Sequence, residues 1–172
     1  GQHIAGVGAG ARLADRVTHY ALPVEPQDIF NARIYEDRSG STWIALARQG
    51  VFKLKNGLVA DYTRRLKLAP DVVIWKILED QDGTFWFGTA SSGLLYFKDV
   101  PEAEPVLYTT AHGLSSNAIR SLYQDREGTL WVGSGGGGLN GLVPQFISGY
   151  STAQGLGGNI AHTVLADQAE NL

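Results

Sequence analysis

Residues 77–89 read Ile-Leu-Glu-Asp-Gln-Asp-Gly-Thr-Phe-Trp-Phe-Gly-Thr, and residues 122–134 read Leu-Tyr-Gln-Asp-Arg-Glu-Gly-Thr-Leu-Trp-Val-Gly-Ser. The two segments align without a gap. An earlier copy occupies residues 34–46, and a fourth begins at residue 164 and runs to residue 172. Internal repeats of this kind decide the fold, because each copy builds one structural unit and neighbouring units stack.

The repeat length identifies the unit. The repeated aspartates Asp37, Asp80, Asp125 and Asp167 lie 43, 45 and 42 residues apart. A period of about 40–45 residues with glycine and tryptophan marks is typical of one β-propeller blade per repeat. Each unit holds four short runs rich in β-branched and aromatic residues, which predict four strands. We therefore predict an all-β propeller of four-stranded antiparallel blades; a β-sandwich, the alternative, does not require self-similar units.

The repeat also predicts how the chain is divided. Complete blades are expected at residues 28–63, 71–110 and 116–151. Residues 1–20 are predicted to supply the outer strands of a partial blade, and residues 159–172 the inner strand of the next, giving about four blades' worth of strands. The two remnants could pair within the chain, pair between two copies, or adjoin the remaining blades of a longer propeller. We expect the last, because no methionine stands at position 1.

Composition excludes several classes of function. The 172 residues carry a formal net charge of −3, which offers no basic stripe for nucleic acid. Cysteine is absent, so disulfides and thiolate metal sites are excluded, and the four histidines show no metal-ligand spacing. No apolar run is long enough to span a membrane. The sequence predicts no metal, no cofactor, no nucleic-acid partner and no membrane segment in this chain.

Tryptophan and aspartate each recur at one fixed position of the repeat. Trp43, Trp86 and Trp131 share one repeat position. We interpret them as packing between neighbouring blades, because a sugar-stacking platform need not recur in each blade. The repeated aspartates precede a tight turn, which predicts that they cap it by accepting backbone N–H groups.

The inner strands carry the candidate binding residues. The fifth and fourth residues before each repeated aspartate vary between apolar neighbours, so we predict that they face the central channel or its mouth. The candidates are Arg33, Trp75, Lys76, Arg120 and His162. Clustered cations suit an anionic or polyhydroxylated ligand, because the arginine guanidinium is a planar donor fork; the alternative is that they are solvated channel residues.

Loops that precede the inner strands converge on the same end of a propeller, where binding residues are common. Asn117 and Asn159 recur in these loops and are predicted as ligand-binding residues, with a turn role as the equal alternative. No pair of carboxylates and no histidine with a base converges there, so we predict no catalytic residue. The alternatives to a binding module are a propeller enzyme, such as a polysaccharide or streptogramin-type lyase, and a structural fragment without a ligand.

The motifs that recur at equivalent positions of the repeat resemble those of a known family. The string at residues 125–134 followed by Gly-Gly-Gly-Leu-Asn-Gly-Leu at 136–142, with Gly-Leu-Ser-Ser-Asn at 113–117, resembles the two-component regulator propeller repeat. The resemblance implies the periplasmic or otherwise extracytoplasmic sensor region of a bacterial hybrid histidine kinase, often associated with carbohydrate breakdown products. Ala45 and Leu46 depart from the family's Gly-Thr or Gly-Ser pair, and Glu170 replaces the turn glycine.

Overall fold

The computed structural model describes residues 18–24, 31–69, 71–143, 146–155, 157–158 and 160. They form three antiparallel four-stranded sheets, each with its strands in sequence order from inner to outer. This confirms the predicted all-β architecture of four-stranded blades. The predicted partial blades at 1–20 and 159–172 lie almost wholly outside the described residues, and residues 18–24 contain no strand.

Each sheet is one blade of four strands. The first blade comprises β1 (Ala32–Glu36), β2 (Thr42–Leu46), β3 (Gly50–Lys55) and β4 (Leu58–Asp61). The second comprises β5 (Ile74–Glu79), β6 (Thr84–Thr89), β7 (Leu94–Lys98) and β8 (Val106–Tyr108). The third comprises β9 (Ile119–Gln124), β10 (Leu130–Ser134), β11 (Gly138–Val143) and β12 (Phe146–Tyr150). Short 3-10 turns follow β8 and β12, at Thr110–His112 and Thr152–Gln154.

The hairpin turn between the first two strands of a blade is closed by the repeated aspartate. In the second blade, one carboxylate oxygen of Asp80 accepts the backbone N–H groups of Asp82 and Thr84 at 3.0 and 2.9 Å. The other oxygen accepts the indole N–H of Trp86 at 2.7 Å. Gly83 completes the turn at φ 74°, a left-handed conformation that costs glycine little. One carboxylate therefore fixes both the turn and the tryptophan rotamer.

The first and third blades use the same device. The indole of Trp43 donates to Asp37 at 3.0 Å, and that of Trp131 donates to Asp125 at 2.8 Å. The aspartate–tryptophan bond links the two most regular marks of the repeat, which the sequence shows six residues apart but does not show to be in contact.

The blades stack through apolar faces. Trp43 is completely buried between the first and second blades, with its ring centroid 4.7 Å from that of Phe85 and 5.7 Å from that of Phe87. Trp86 is half-buried and packs against a second core that contains Ile119 and Val132 of the third blade. Both buried apolar clusters among the described residues therefore contain residues of two adjacent blades, and their burial stabilises the contact between those blades.

In the second and third blades, the apolar residue three positions before the repeated aspartate packs against the preceding blade. Ile77 packs against the core between the first two blades, and Leu122 packs against the core between the second and third. Ile34 holds the equivalent position in β1, on the sheet face opposite Trp43, and it is 72% exposed. Among the described residues, no blade covers this face of the first sheet.

Close approach of the blades depends on Gly88. A Cβ atom at this position would lie 2.7 Å from Cγ2 of Ile119 in the next blade, closer than carbon atoms pack. We expect Gly88→Ala to lower the free energy of unfolding by about 1–3 kcal/mol through overpacking. Urea unfolding measures the effect, with Gly157→Ala as the control because a Cβ there meets no atom within 4 Å. Equal stability of the two variants would contradict this packing.

Candidate functional site

The start of two inner strands is irregular. In β5, Ile74 pairs with Thr89 and Lys76 pairs with Gly88, so Trp75 is an extra residue without a cross-strand partner. In β9, Ile119 pairs with Ser134 and Ser121 with Gly133, which leaves Arg120 as the extra residue. Trp75 and Arg120 therefore occupy β-bulges at the same repeat position, five residues before the aspartate. In the first blade this position is Ala32, which pairs regularly with Leu46.

The bulges decide which side chains meet. In a regular strand, successive side chains point to opposite faces. An extra residue kinks the strand and redirects its side chain, which is why bulges are common beside functional sites. Trp75 and Lys76 are adjacent in sequence, yet both line one cavity. The bulge at Trp75 allows this.

That cavity has a volume of about 480 Å³ and lies across the starts of β1, β5 and β9. Its lining brings together four residues singled out in the sequence and one from the loop before β1. The lining residues are Asn31, Arg33, Trp75, Lys76 and Arg120. Three are cations and none is acidic, so the cavity concentrates positive charge in a chain whose net charge is negative.

Arg33 is held in place across the blade boundary. Its Nε donates to the backbone oxygen of Trp75 at 3.1 Å, which ties the first blade to the bulge of the second. Its Nη1 donates to Oδ1 of Asn31 at 3.1 Å and to the backbone oxygen of Ala32 at 3.2 Å. These bonds pre-organise the guanidinium, so little conformational entropy is lost when a ligand contacts it.

Arg120 is held by stacking. Its guanidinium carbon lies 3.6 Å from the ring centroid of Trp75, a cation–π contact between adjacent bulges. Its Nε is buried and has no hydrogen-bond partner among the described residues. A buried donor left unsatisfied is costly. Because Nε is covered, a ligand would meet the guanidinium at its Nη atoms, which are not among the buried unsatisfied atoms.

Of the remaining predicted binding residues, the structure describes only Asn117. Oδ1 of Asn117 accepts the backbone N–H of Thr110 at 2.8 Å, and its backbone oxygen accepts the N–H of Gly93 at 2.9 Å. Asn117 is therefore engaged as a turn residue and does not line the cavity. Asn159, His162 and Asp167 lie outside the described residues, so their placement stays a prediction.

A second cavity differs in charge balance. It has a volume of about 680 Å³ and lies between the outer parts of the first two blades. Two of its cations, Lys53 and Arg65, each contact the carboxylate of Asp99 at 2.8 Å, and the Tyr62 hydroxyl donates to Asp99 at 3.1 Å. Burial and the Asp99 charge raise the pKa of Tyr62. Because Lys53 and Arg65 are both paired with carboxylates, this cavity is better explained as a blade contact than as a binding site.

Two arrangements are absent from the part of the chain that the structure describes. No group of three or more histidine, aspartate or glutamate side chains there is arranged to hold a metal ion. No helix among these residues is long and apolar enough to cross a membrane.

Comparison with known proteins supports the repeat assignment. The family model described as the two component regulator propeller matches residues 68–91 and 113–136, which include the inner and second strands of the second and third blades. The resemblance expected from the sequence is thereby confirmed. No curated protein matches the chain.

Solved structures share the fold. The extracellular domain named for the hybrid two component system BT3049 from B. thetaiotaomicron matches with a TM-score of 0.68 and 21% identity, over 80% of this chain and 19% of that one. Two structures of the extracellular domain of BT4673 from the same organism, named as a one component system in one and a hybrid two component system in the other, match with a TM-score of 0.62. Their identities are 21% and 20%, over 80% of this chain and 20% of theirs. The chain thus spans about a fifth of the length of these domains.

Proposed function

Because this chain carries the two component regulator propeller repeat, we propose that it is part of the ligand-sensing propeller of a bacterial signalling protein and acts outside the cytoplasm. The ligand is a polar or anionic small molecule, such as a carbohydrate fragment. It binds in the cavity lined by Arg33, Trp75, Lys76 and Arg120. The two solved relatives named as extracellular domains of signalling systems support the location.

The observation that carries the proposal is the convergence of the bulged residues. Nothing in the stacking of blades requires an inner strand to carry an extra residue, since β1 pairs without one. The bulges nonetheless bring Trp75 and Arg120 into contact and leave three cations without an acidic neighbour in the lining. Side chains arranged around unpaired charge on a rigid scaffold are what a binding site requires.

The position of the site suggests how ligand binding could affect three blades at once. Its residues come from the inner strands of three consecutive blades, so one ligand contacts all three. Arg33 already links the first two blades through the Trp75 carbonyl. A ligand held by Arg33, Lys76 and Arg120 therefore adds stabilising contacts across two blade boundaries. Ligand binding is expected to raise the thermal stability of the propeller.

The test is a binding screen with matched variants. The chain is titrated with a panel of neutral and acidic mono- and oligosaccharides, and binding is measured by calorimetry and by the shift in unfolding temperature. Arg33→Gln and Lys76→Gln each remove one charge from the cavity and are expected to weaken binding about tenfold or more. Lys98→Gln is the control, because Lys98 is an exposed cation at the end of β7, outside the cavity lining.

Two outcomes would overturn the proposal. Binding that is unchanged by both cavity variants would place the ligand elsewhere. Conversion of a saccharide by the pure protein, lost on changing His112 or Asp71, would make the chain an enzyme instead. His112 already contacts the Thr109 hydroxyl through Nδ1 at 3.1 Å in the capping of a short turn, which argues for a structural role.

A further inference from the structure

One face of Trp75 is not open to a ligand. The guanidinium of Arg120 lies over this ring at 3.6 Å. An aromatic side chain binds a sugar by offering its flat face, and here a cation occupies one such face. Removing the guanidinium to admit a sugar ring would forfeit the cation–π contact and leave the charge to be solvated again.

The stacked arginine is instead suited to bind an oxyanion. Its Nε is buried without a hydrogen-bond partner among the described residues. Gly135 allows the backbone to lie close against this nitrogen, because a Cβ atom there would be 3.2 Å from Nε, so an oxyanion would meet the guanidinium at its Nη atoms. Arginine binds carboxylate and sulfate oxygens through parallel N–H donors, and such charge-assisted bonds are stronger than those to neutral hydroxyls.

The charge of the lining supports the same conclusion. Lys76 is exposed on the cavity side of β5 and Arg33 is fixed by its bonds to Trp75 and Asn31, with no carboxylate among the lining residues. In the second cavity, by contrast, Lys53 and Arg65 both pair with Asp99, and Lys53 also pairs with Asp37. Three uncompensated cations repel one another, and an anionic ligand relieves this repulsion whereas a neutral one does not.

We propose that the ligand of this cavity carries a carboxylate or sulfate group on a polyhydroxylated molecule, that is, a sugar acid or sugar sulfate. Arg120 and Lys76 bind the anionic group. Trp75 is a positioning residue that acts through Arg120 and is not a stacking platform for the sugar. This inference rests on the proposed function, because it specifies the ligand of the same site.

Four probes distinguish affinity for the anionic group from affinity for the sugar. D-glucuronate, D-glucose 6-sulfate, D-glucose and inorganic sulfate are titrated into the isotopically labelled 172-residue chain. The side-chain N–H signals of Arg120 and Trp75 are followed by NMR and assigned with Arg120→Lys and Trp75→Phe. We expect at least one charged sugar to bind about tenfold or more tighter than glucose and to shift both signals. Raising NaCl from about 50 mM to about 300 mM is expected to weaken its binding severalfold through screening.

Substitutions of Trp75 and Arg120 show whether Trp75 positions Arg120 or stacks on the sugar. If Trp75 acts through Arg120, Trp75→Leu and Arg120→Lys weaken binding of the charged sugar by similar factors, and the double variant is hardly weaker than either. Trp75→Phe, which keeps an aromatic face, is expected to retain most of the affinity. If Trp75 were a platform, Trp75→Leu would weaken glucose and glucuronate equally, and its effect would multiply with that of Arg120→Lys.

Each contrary result has a definite meaning. Glucose binding as tightly as both charged sugars, with Arg33→Gln weakening all three, would overturn this inference and leave the proposed function standing. Inorganic sulfate binding as tightly as the charged sugars would reduce the cavity to a general anion site and overturn the sugar assignment. No shift of the Arg120 or Trp75 signals with any probe would overturn both, and circular dichroism verifies that each variant is folded.

Discussion

Replacing Trp43 with alanine is expected to lower the free energy of unfolding by about 3–5 kcal/mol. The indole is completely buried, and its centroid lies within 5 Å of Phe85 and Tyr62. The Lys53 ammonium lies 4.7 Å from the same ring, and the indole N–H is bound to Asp37. Alanine would therefore leave a cavity between the first two blades and a buried carboxylate with one donor fewer.

The repeat provides a matched control for this variant. Trp131 occupies the same repeat position and makes the same bond to its aspartate, but it is only half-buried. Trp131→Ala is expected to cost less, because less area leaves water when this ring packs. Urea unfolding followed by circular dichroism measures both. If the two substitutions cost the same, tryptophan burial between the first two blades is not what stabilises the protein.

Acid is expected to destabilise the first blade through Asp37. Burial opposes ionisation of this carboxyl group, but hydrogen bonds from Ser39, Ser41, Trp43 and Lys53 outweigh burial and lower its pKa from 3.8 to about 2. A pKa lowered in the folded state means that the ionised form stabilises the fold. The corresponding stabilisation is about 2 kcal/mol. It is fully present above the unfolded-state pKa and is lost as the pH falls from about 4 to about 2.

Asp37→Asn isolates this contribution. The variant cannot ionise, so its stability is expected to change less with pH between about 5 and about 2 than that of the parent protein. At neutral pH it is expected to be less stable by about 2–3 kcal/mol, because Lys53, 3.2 Å from Asp37, loses one of its two carboxylate partners. Urea midpoints across this pH range measure both effects. Asp61→Asn, on an exposed carboxylate, is the control; an acid response of Asp37→Asn equal to that of the parent would contradict the assignment.

The fold was predictable because its determinants are local and repeated. Four short strands are expected in each repeat unit, and each of the three observed sheets has four strands. The turn between the first two strands needs an aspartate and a left-handed glycine a few residues apart, and such a pattern is visible in the sequence. Repetition then distinguishes a propeller from other all-β folds.

The bulges could not be predicted in the same way. A bulge is a relation between two strands, and nothing in the identity of Trp75 or Arg120 marks it. The first blade has the same spacing of aspartate and tryptophan, yet Ala32 pairs regularly at that position. The contact between Trp75 and Arg120 joins two bulged residues, so the sequence could predict that these residues face the central channel or its mouth but could not show that they stack.

Contacts between blades that occur once also escaped prediction. Lys53 and Asp99 are 46 residues apart, and Asp99 lies in the connection between β7 and β8, which is longer than the corresponding connection in the first blade. A single long-range ion pair leaves no periodic signal. The recurring Asn117 shows the converse, because its recurrence was equally consistent with ligand binding and with the turn bond to Thr110 that is observed.

The bulges show which positions of a repeat can change without altering the pairing of its strands. Trp75 and Arg120 face no cross-strand neighbour, and the residues on either side of each keep their own partners in the ladder. Mutation at these positions therefore leaves the cross-strand pairing of the neighbouring residues in place, although it changes the contact between Trp75 and Arg120. Gene duplication can copy a blade intact and then diversify one codon. A protein engineer can do the same, since a library randomised at residues 75 and 120 would sample new specificities on an unchanged scaffold.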